Sequence, residues 1–218
     1  MLIILSEIVV FVQPIGVGAI LIYIYGYIAR HGISKYAEEL CLGFVFGLAA
    51  IYAMSTPIKL PDGVILDMRN LFVGFAAAYF GWRGGAVALI MAIGMRVGIG
   101  GGGTLAGITG VTIAATAGWG WAQIVQPRIR NQILSRTILA SMISLHILAG
   151  FALPTDRIAR FFYEFAPIMA GLNFFCVGIF STMVQRERAL MAETNRLLLE
   201  TRLDPLTQIL NRRSAVMA

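Results

Sequence analysis

Charge is what this sequence has least of. Asp, Glu, Lys and Arg make up 13% of its 218 residues, against about 25% in soluble domains. Hydrophobic residues make up 58%, and the mean hydropathy is +0.80. Eleven acids and seventeen bases cannot coat a soluble globule of this length, so the composition points to a membrane protein. Cysteine is nearly absent. Cys41 and Cys176 lie in apolar runs with no partner at metal-ligand spacing; they read as small hydrophobes, and no metal site is expected. The N-terminus lacks a basic start and a small-residue cleavage pattern, which excludes a signal peptide and leaves a retained first span. The net charge of +6 reflects topology-setting bases rather than a nucleic-acid partner.

What is present is a series of apolar runs near the length of about 20 residues that crosses the hydrocarbon core. Leu2 to Ile28 is the first, with Glu7, Gln13 and Pro14 inside it. Leu40 to Ser55 is the second, followed by a loop, "TPIKLPDGVILDMRN". Asn70 to Gly98 divides at Arg83–Gly85 into a short third and a short fourth span, because a guanidinium in mid-membrane costs about 2.5–3.5 kcal/mol on insertion scales. A glycine loop, Gly100–Gly103, separates these from the fifth span, Leu105 to Ile124, with Trp119 and Trp121 as interface anchors. Ile133 to Leu153 is the sixth, carrying His146; "PTDRIARFFYE" is a loop or an amphipathic interfacial turn; Phe165 to Val184 is the seventh. The expected fold class is therefore an all-α polytopic membrane protein with about seven transmembrane helices, two of them short. Six of the seventeen bases follow Met183, which favours an outside N-terminus and a cytoplasmic C-terminus.

Beyond Val184 the residues are good helix formers up to Pro205, and Met183, Leu190 and Leu197 recur every seven residues. The pattern fits either a solvated signalling helix or the seam of a parallel homodimer.

One constellation suggests a site. Arg69 opens the third span and Arg96 closes the fourth. In an antiparallel pair both guanidiniums reach the same membrane face, the outer one in the assigned orientation. Asp67 can orient Arg69. Asn70, Gly101 and Gly102 complete a cluster suited to a carboxylate or phosphate on a small ligand. The alternatives are that both arginines snorkel to lipid headgroups, or pair with Asp67 for stability alone. His146 admits a role as a proton sensor, but reads more simply as a hydrogen-bonded structural group, as does Asn173.

Two resemblances extend this reading. The stretch "LDMRNLFVGFAAAYFGWRGGAVALIMAIGMRVGIGGGGTLAGITGVTIAATAGWGW" resembles the LytS/YhcK-type five-transmembrane receptors, through Asp67, Arg69, Gly81, Gly84, Gly85, Arg96, Gly101 and Gly102. Ala86 stands where that pattern has a proline. A more distant likeness is to the substrate-binding subunits of energy-coupling-factor transporters. "DPLTQILNRR" resembles the entry signature of GGDEF domains, through Asp204, Leu206, Thr207, Asn211, Arg212 and Arg213, with Gln208 in place of the usual glycine. Asp204 would cap the helix of this joint and Pro205 would occupy its first turn.

The resemblances imply a division into a first transmembrane helix and loop (1–37), a receptor region (38–185), a linker helix (186–203) and the start of a GGDEF domain (204–218). They also imply a bacterial inner-membrane sensor that controls a diguanylate cyclase using Mg²⁺ and GTP. The catalytic motif of such a cyclase lies beyond this chain, and no cofactor or catalytic residue is expected within it. The competing expectations are a transporter-type binding subunit and a passive membrane anchor.

Overall fold

The computed structural model of the chain describes residues 2–59 and 65–202, with side chains over 13–57 and 65–197. The helices are α1 (Leu2–Arg30), α2 (Lys35–Ser55), α3 (Arg69–Tyr79), α4 (Gly81–Ile99), α5 (Thr104–Gly120), α6 (Gln132–Ser144), α7 (Thr155–Arg160) and α8 (Ala166–Arg202). Two short strands, β1 (Ile58–Lys59) and β2 (Ile65–Leu66), pair antiparallel between α2 and α3, with Ile58 opposite Leu66 and Lys59 opposite Ile65. α6 tightens into 3-10 turns over Leu145–Ala152, while π turns carry α5 on through Trp121–Val125 and join α7 to α8 through Phe161–Phe165. The chain is an all-α polytopic membrane protein. Among the described residues, four helical stretches are long and apolar enough to cross a bilayer: Lys35–Ser55, Gly81–Ile99, Gln132–Ala152 and Thr155–Leu197.

α3 has a different role. Its 11 residues span only about 16 Å at 1.5 Å per residue, and every one of them is buried. It is a short rod enclosed by the other helices. Small residues permit that enclosure. A Cβ on Gly118 of α5 would collide with the Gly74 carbonyl oxygen of α3, and one on Gly43 of α2 would come within 2.5 Å of the Gly84 carbonyl oxygen of α4. Aromatic rings complete the packing. Phe75 of α3 stacks on Phe46 of α2 at 5.9 Å and meets Phe180 of α8 edge-on at 5.7 Å. Because α3 and α5 touch backbone to backbone, Gly118→Ala is expected to destabilise the bundle by about 1–3 kcal/mol, the usual cost of overpacking. Gly94→Ala, where nothing lies within 4 Å of the added carbon, is the neutral control. Unfolding midpoints of the two variants in one detergent check this.

Several boundaries differ from the sequence reading. The break between the third and fourth spans falls at Phe80–Gly81, where Gly81 adopts φ +76°. Arg83 then lies in the first turn of α4, half-exposed and paired with Glu39 of α2 at 3.2 Å. That pairing keeps the charge out of mid-membrane without a turn at Arg83–Gly85. α2 begins at Lys35, because the Ser34 hydroxyl caps it by accepting the Ala37 N–H at 3.2 Å. The stretch expected as a loop before the seventh span is mostly helical, as α7 and the π turn into α8. Trp119 is exposed, as an interface anchor should be, but Trp121 is 2% exposed and donates its indole N–H to the Ser135 carbonyl at 2.8 Å. It therefore ties α5 to α6 inside the bundle. α8 is continuous to Arg202. The expected joint at Asp204 and Pro205, with Leu206, Thr207, Asn211, Arg212 and Arg213, lies outside the described residues.

Candidate functional site

The loop preceding α3 builds the centre of the site. Met68, at the start of the helix, has no capping side chain. Asp67 does that work from one residue earlier: its Oδ1 accepts the Arg69 backbone N–H at 2.9 Å and lies 3.4 Å from Arg69 Nε. The second contact is an ion pair too long for a hydrogen bond. Burial pushes the Asp67 carboxyl above the usual carboxylate range, while the charge of Arg69, its backbone N–H and the charge of Arg96 pull it back. Asp67, Arg69 and Asn70 are only 5%, 5% and 7% exposed. Snorkelling to headgroups would leave the Arg69 guanidinium in contact with lipid or water; instead it is enclosed.

These three residues line a cavity with about 50 Å³ of room for water-sized spheres, closed by the β2 strand, by Gly103, Gly107 and Gly110 of the α5 end, by His146 and Gly150 of the 3-10 segment, and by Phe161 and Met169. That volume holds several water molecules. The first turns of α3 and α5 both open toward it, and helix N-termini favour negative charge.

The cavity wall contains buried polar atoms with no hydrogen-bond partner among the described residues: Asp67 Oδ2, Arg69 Nη1, Asn70 Oδ1 and His146 Nε2. Buried polar atoms are almost always paired in folded proteins. Four such atoms belong to residues that line this one small cavity.

The remaining residues of the expected cluster stand in different places. Arg96 is 1% exposed and forms part of the wall rather than the lining. Its Nη1 donates to the Gly100 carbonyl at 2.6 Å, and its stem lies so close to Gly107 that a Cβ there would come within 2.7 Å of Nε. Arg69 and Arg96 lie within electrostatic reach of each other. Gly101 and Gly102 are exposed and do not line the cavity; Gly103 does. The glycine loop turns carbonyls inward: Gly100 accepts from Arg96, and Gly101 accepts the backbone N–H and the hydroxyl of Thr104.

His146 is hydrogen-bonded as the sequence reading expects, with Nδ1 2.8 Å from the Ile143 carbonyl oxygen, and it also lines the cavity. It is 4% exposed and faces Asn70 across the cavity. The available signal was that it is the ionisable side chain in the middle of the sixth span, with Arg136 near the span's start, and ionisable residues in such spans are functional by default.

At the opposite end of the bundle the last turns of the α8 span are held by three other helices. Arg136 of α6 donates to Thr182 at 2.7 Å and to Gln185. Arg30 of α1 pairs with Glu187 at 2.7 Å. Arg188 of α8 donates to the Tyr25 hydroxyl and to the Tyr79 carbonyl, both at 3.1 Å, and its guanidinium lies 5.5 Å from the Tyr79 ring centre. α3 thus begins at the cavity with Arg69 and ends against Arg188.

No curated protein and no solved structure matches the chain. A family model does: residues 22–187, which take in the cavity, α3 and the Arg188-side turns up to Glu187, match the one described as "5TMR of 5TMR-LYT", and the chain belongs to that family of five-transmembrane receptor regions.

Proposed function

We propose that the chain is a membrane sensory region that binds a small ligand, anionic in part, in the cavity at Arg69, and passes the bound state through α3 to α8. The observation that carries this reading is the set of buried, unpartnered polar atoms on Asp67, Arg69, Asn70 and His146 around one cavity. α3 supports the second half: it is a rigid element that touches the cavity at one end and Arg188 at the other, with Phe75 packed on Phe180 between them. α3 runs from the cavity at Arg69 to Arg188 of α8, so the cavity lies at the end of the bundle opposite the one where α8 leaves it. The six bases after Met183 favour a cytoplasmic α8 side, and the family resemblance implies a bacterial inner membrane, so the ligand arrives from outside. α8 then delivers the signal to a diguanylate cyclase, as the resemblance of Asp204 to Arg213 to a GGDEF entry implies.

The orientation is tested with a membrane-impermeant maleimide on intact cells, in a Cys41→Ser background because Cys41 is exposed. A cysteine at Gly102 should label from outside, and one at Glu193 only after permeabilisation. Labelling of both from the same side would sink the arrangement.

Output through a cyclase requires two nucleotide sites face to face, hence a parallel homodimer along α8. Leu190 and Leu197 are 47% and 54% exposed in the single chain, as an unfilled seam would be. Cysteines at these two positions are expected to crosslink between chains in the membrane, whereas Ala192→Cys, on the opposite face of the helix, should crosslink less. Equal yields at all three positions would rule out the seam.

A further inference from the structure

α3 also leaves room at its far end. It spans about 16 Å, against about 31 Å for the 21 residues of α2. Glu39 stands beside Gly81, where α3 gives way to α4: a Cβ on Gly81 would come within 3.2 Å of the Glu39 carboxyl. Lys35 is one helical turn further along, so α2 projects past the end of α3. Beneath Tyr79 this leaves a vestibule with about 300 Å³ of room for water-sized spheres, comparable with the smaller ligand pockets. Its wall is made by the first turns of α2, the π turn after α5 and Arg188 of α8.

The charged groups of this wall do not satisfy one another. Glu39 is engaged: it pairs with Arg83 at 3.2 Å. Arg188 is held by neutral groups, giving Nε to the Tyr25 hydroxyl and Nη2 to the Tyr79 carbonyl. Lys35 and Glu38 form no ion pair among the described residues. Two cations and one anion without an opposite charge therefore line one concave space, beside Gln123 and Gln126. Each amide both donates and accepts, so the glutamines can bond to an occupant of either sign and do not choose between them. The choice lies with Lys35, Arg188 and Glu38. A simple anion would serve the two cations and bring a like charge to Glu38; a simple amine would do the reverse.

We propose that the vestibule is a second binding site, which takes a small dicarboxylic amino acid of about the size of glutamate from the side where α8 leaves the bundle. Its two carboxylates pair with Lys35 and Arg188, and its ammonium group pairs with Glu38. In the orientation proposed above, that side is the cytoplasm. The occupant touches Arg188, the residue that ties the end of α3 to α8, so this site reads a cytoplasmic pool independently of the cavity at Arg69.

The test uses the full 218-residue chain in lipid nanodiscs, with radiolabelled L-glutamate in equilibrium dialysis. Saturable binding is expected. L-glutamine, which lacks one carboxylate, and glutarate, which lacks the ammonium group, should compete about fivefold more weakly, the upper value for a partly exposed ion pair. Lys35 is exposed and Glu38 half-exposed, so neither substitution threatens the fold. Glu38→Gln should bring glutarate to within about twofold of L-glutamate, and Lys35→Gln should do the same for L-glutamine. Ala122→Cys in the Cys41→Ser background puts a thiol on the vestibule wall, and L-glutamate should protect it from maleimide. None of these residues lines the cavity at Arg69, so failure here leaves the reading of that cavity standing. Absence of saturable binding overturns the second site. Equal competition by all three compounds overturns the charge pattern and the ligand class with it. Binding that survives both substitutions unchanged and leaves Ala122→Cys unprotected, or that is lost in Arg69→Lys, places the probe elsewhere and overturns the assignment.

Discussion

Arg69→Ala is expected to weaken ligand binding by roughly 30- to 4,000-fold, the equivalent of the about 2–5 kcal/mol typical of truncating one partner of a buried charge pair. At an exposed site the same change would cost about 0–1 kcal/mol; at 5% exposure the larger figure applies. The substitution also leaves Asp67 buried beside an empty space, and breaking a buried pair destabilises by about 3–5 kcal/mol. Loss of binding therefore needs separating from loss of fold. Asp67→Asn with Arg69→Gln removes both charges together and is expected to recover most of the lost stability without recovering binding. Arg69→Lys keeps the charge but not the planar fork, and should bind with intermediate affinity. The measurements are unfolding midpoints and ligand titrations on the same preparations. A charge-free double variant that binds as tightly as the wild type would remove Arg69 from the site.

Arg188→Met is expected to disconnect the cavity from α8. Methionine retains an apolar stem but loses the bonds to Tyr25 and to the Tyr79 carbonyl. Allosteric couplings of this kind amount to about 1–3 kcal/mol, or roughly 5- to 150-fold. The ligand-dependent change in the proposed cyclase output should fall by a factor in that range. Gly110, at the other end of the bundle, is untouched, so ligand in the cavity should still protect a Gly110→Cys variant from thiol reagents in the Arg188→Met background. The same response in mutant and wild type would mean that α3 and Arg188 do not carry the signal. Arg30→Met, which removes only the Glu187 pair at the exposed edge, should have a smaller effect, because surface pairs contribute little.

The all-α membrane class was legible in the sequence, because hydropathy and scarcity of charge act along a single stretch of chain and need no partner to be read. The grouping of Asp67, Arg69 and Asn70 was also legible, since three polar side chains at the head of an apolar run are neighbours in sequence, and they line one cavity. The break between the third and fourth spans was legible as a fact but not in place. Arg83 looked like the interruption, whereas its pairing with Glu39, 44 residues away, lets the helix begin at Gly81.

Other features depended on neighbours distant in sequence. Trp121 and Trp119 are two residues apart and chemically identical; only the Ser135 carbonyl waiting on α6 turns one inward. Gly101 and Gly102 looked like anion-binding backbone, but the loop spends its carbonyls on Arg96 and Thr104 and leaves those two glycines exposed. His146 reads as an ordinary buried polar residue until its Nδ1 is seen committed to Ile143 and its Nε2 open to a cavity formed by residues about 75 positions earlier. By itself the sequence determined which segments enter the membrane, because that depends on the free energy of transferring each segment. Only the tertiary structure decided which polar atoms remain without partners, because hydrogen-bond satisfaction is a property of the whole set of neighbours around a buried atom.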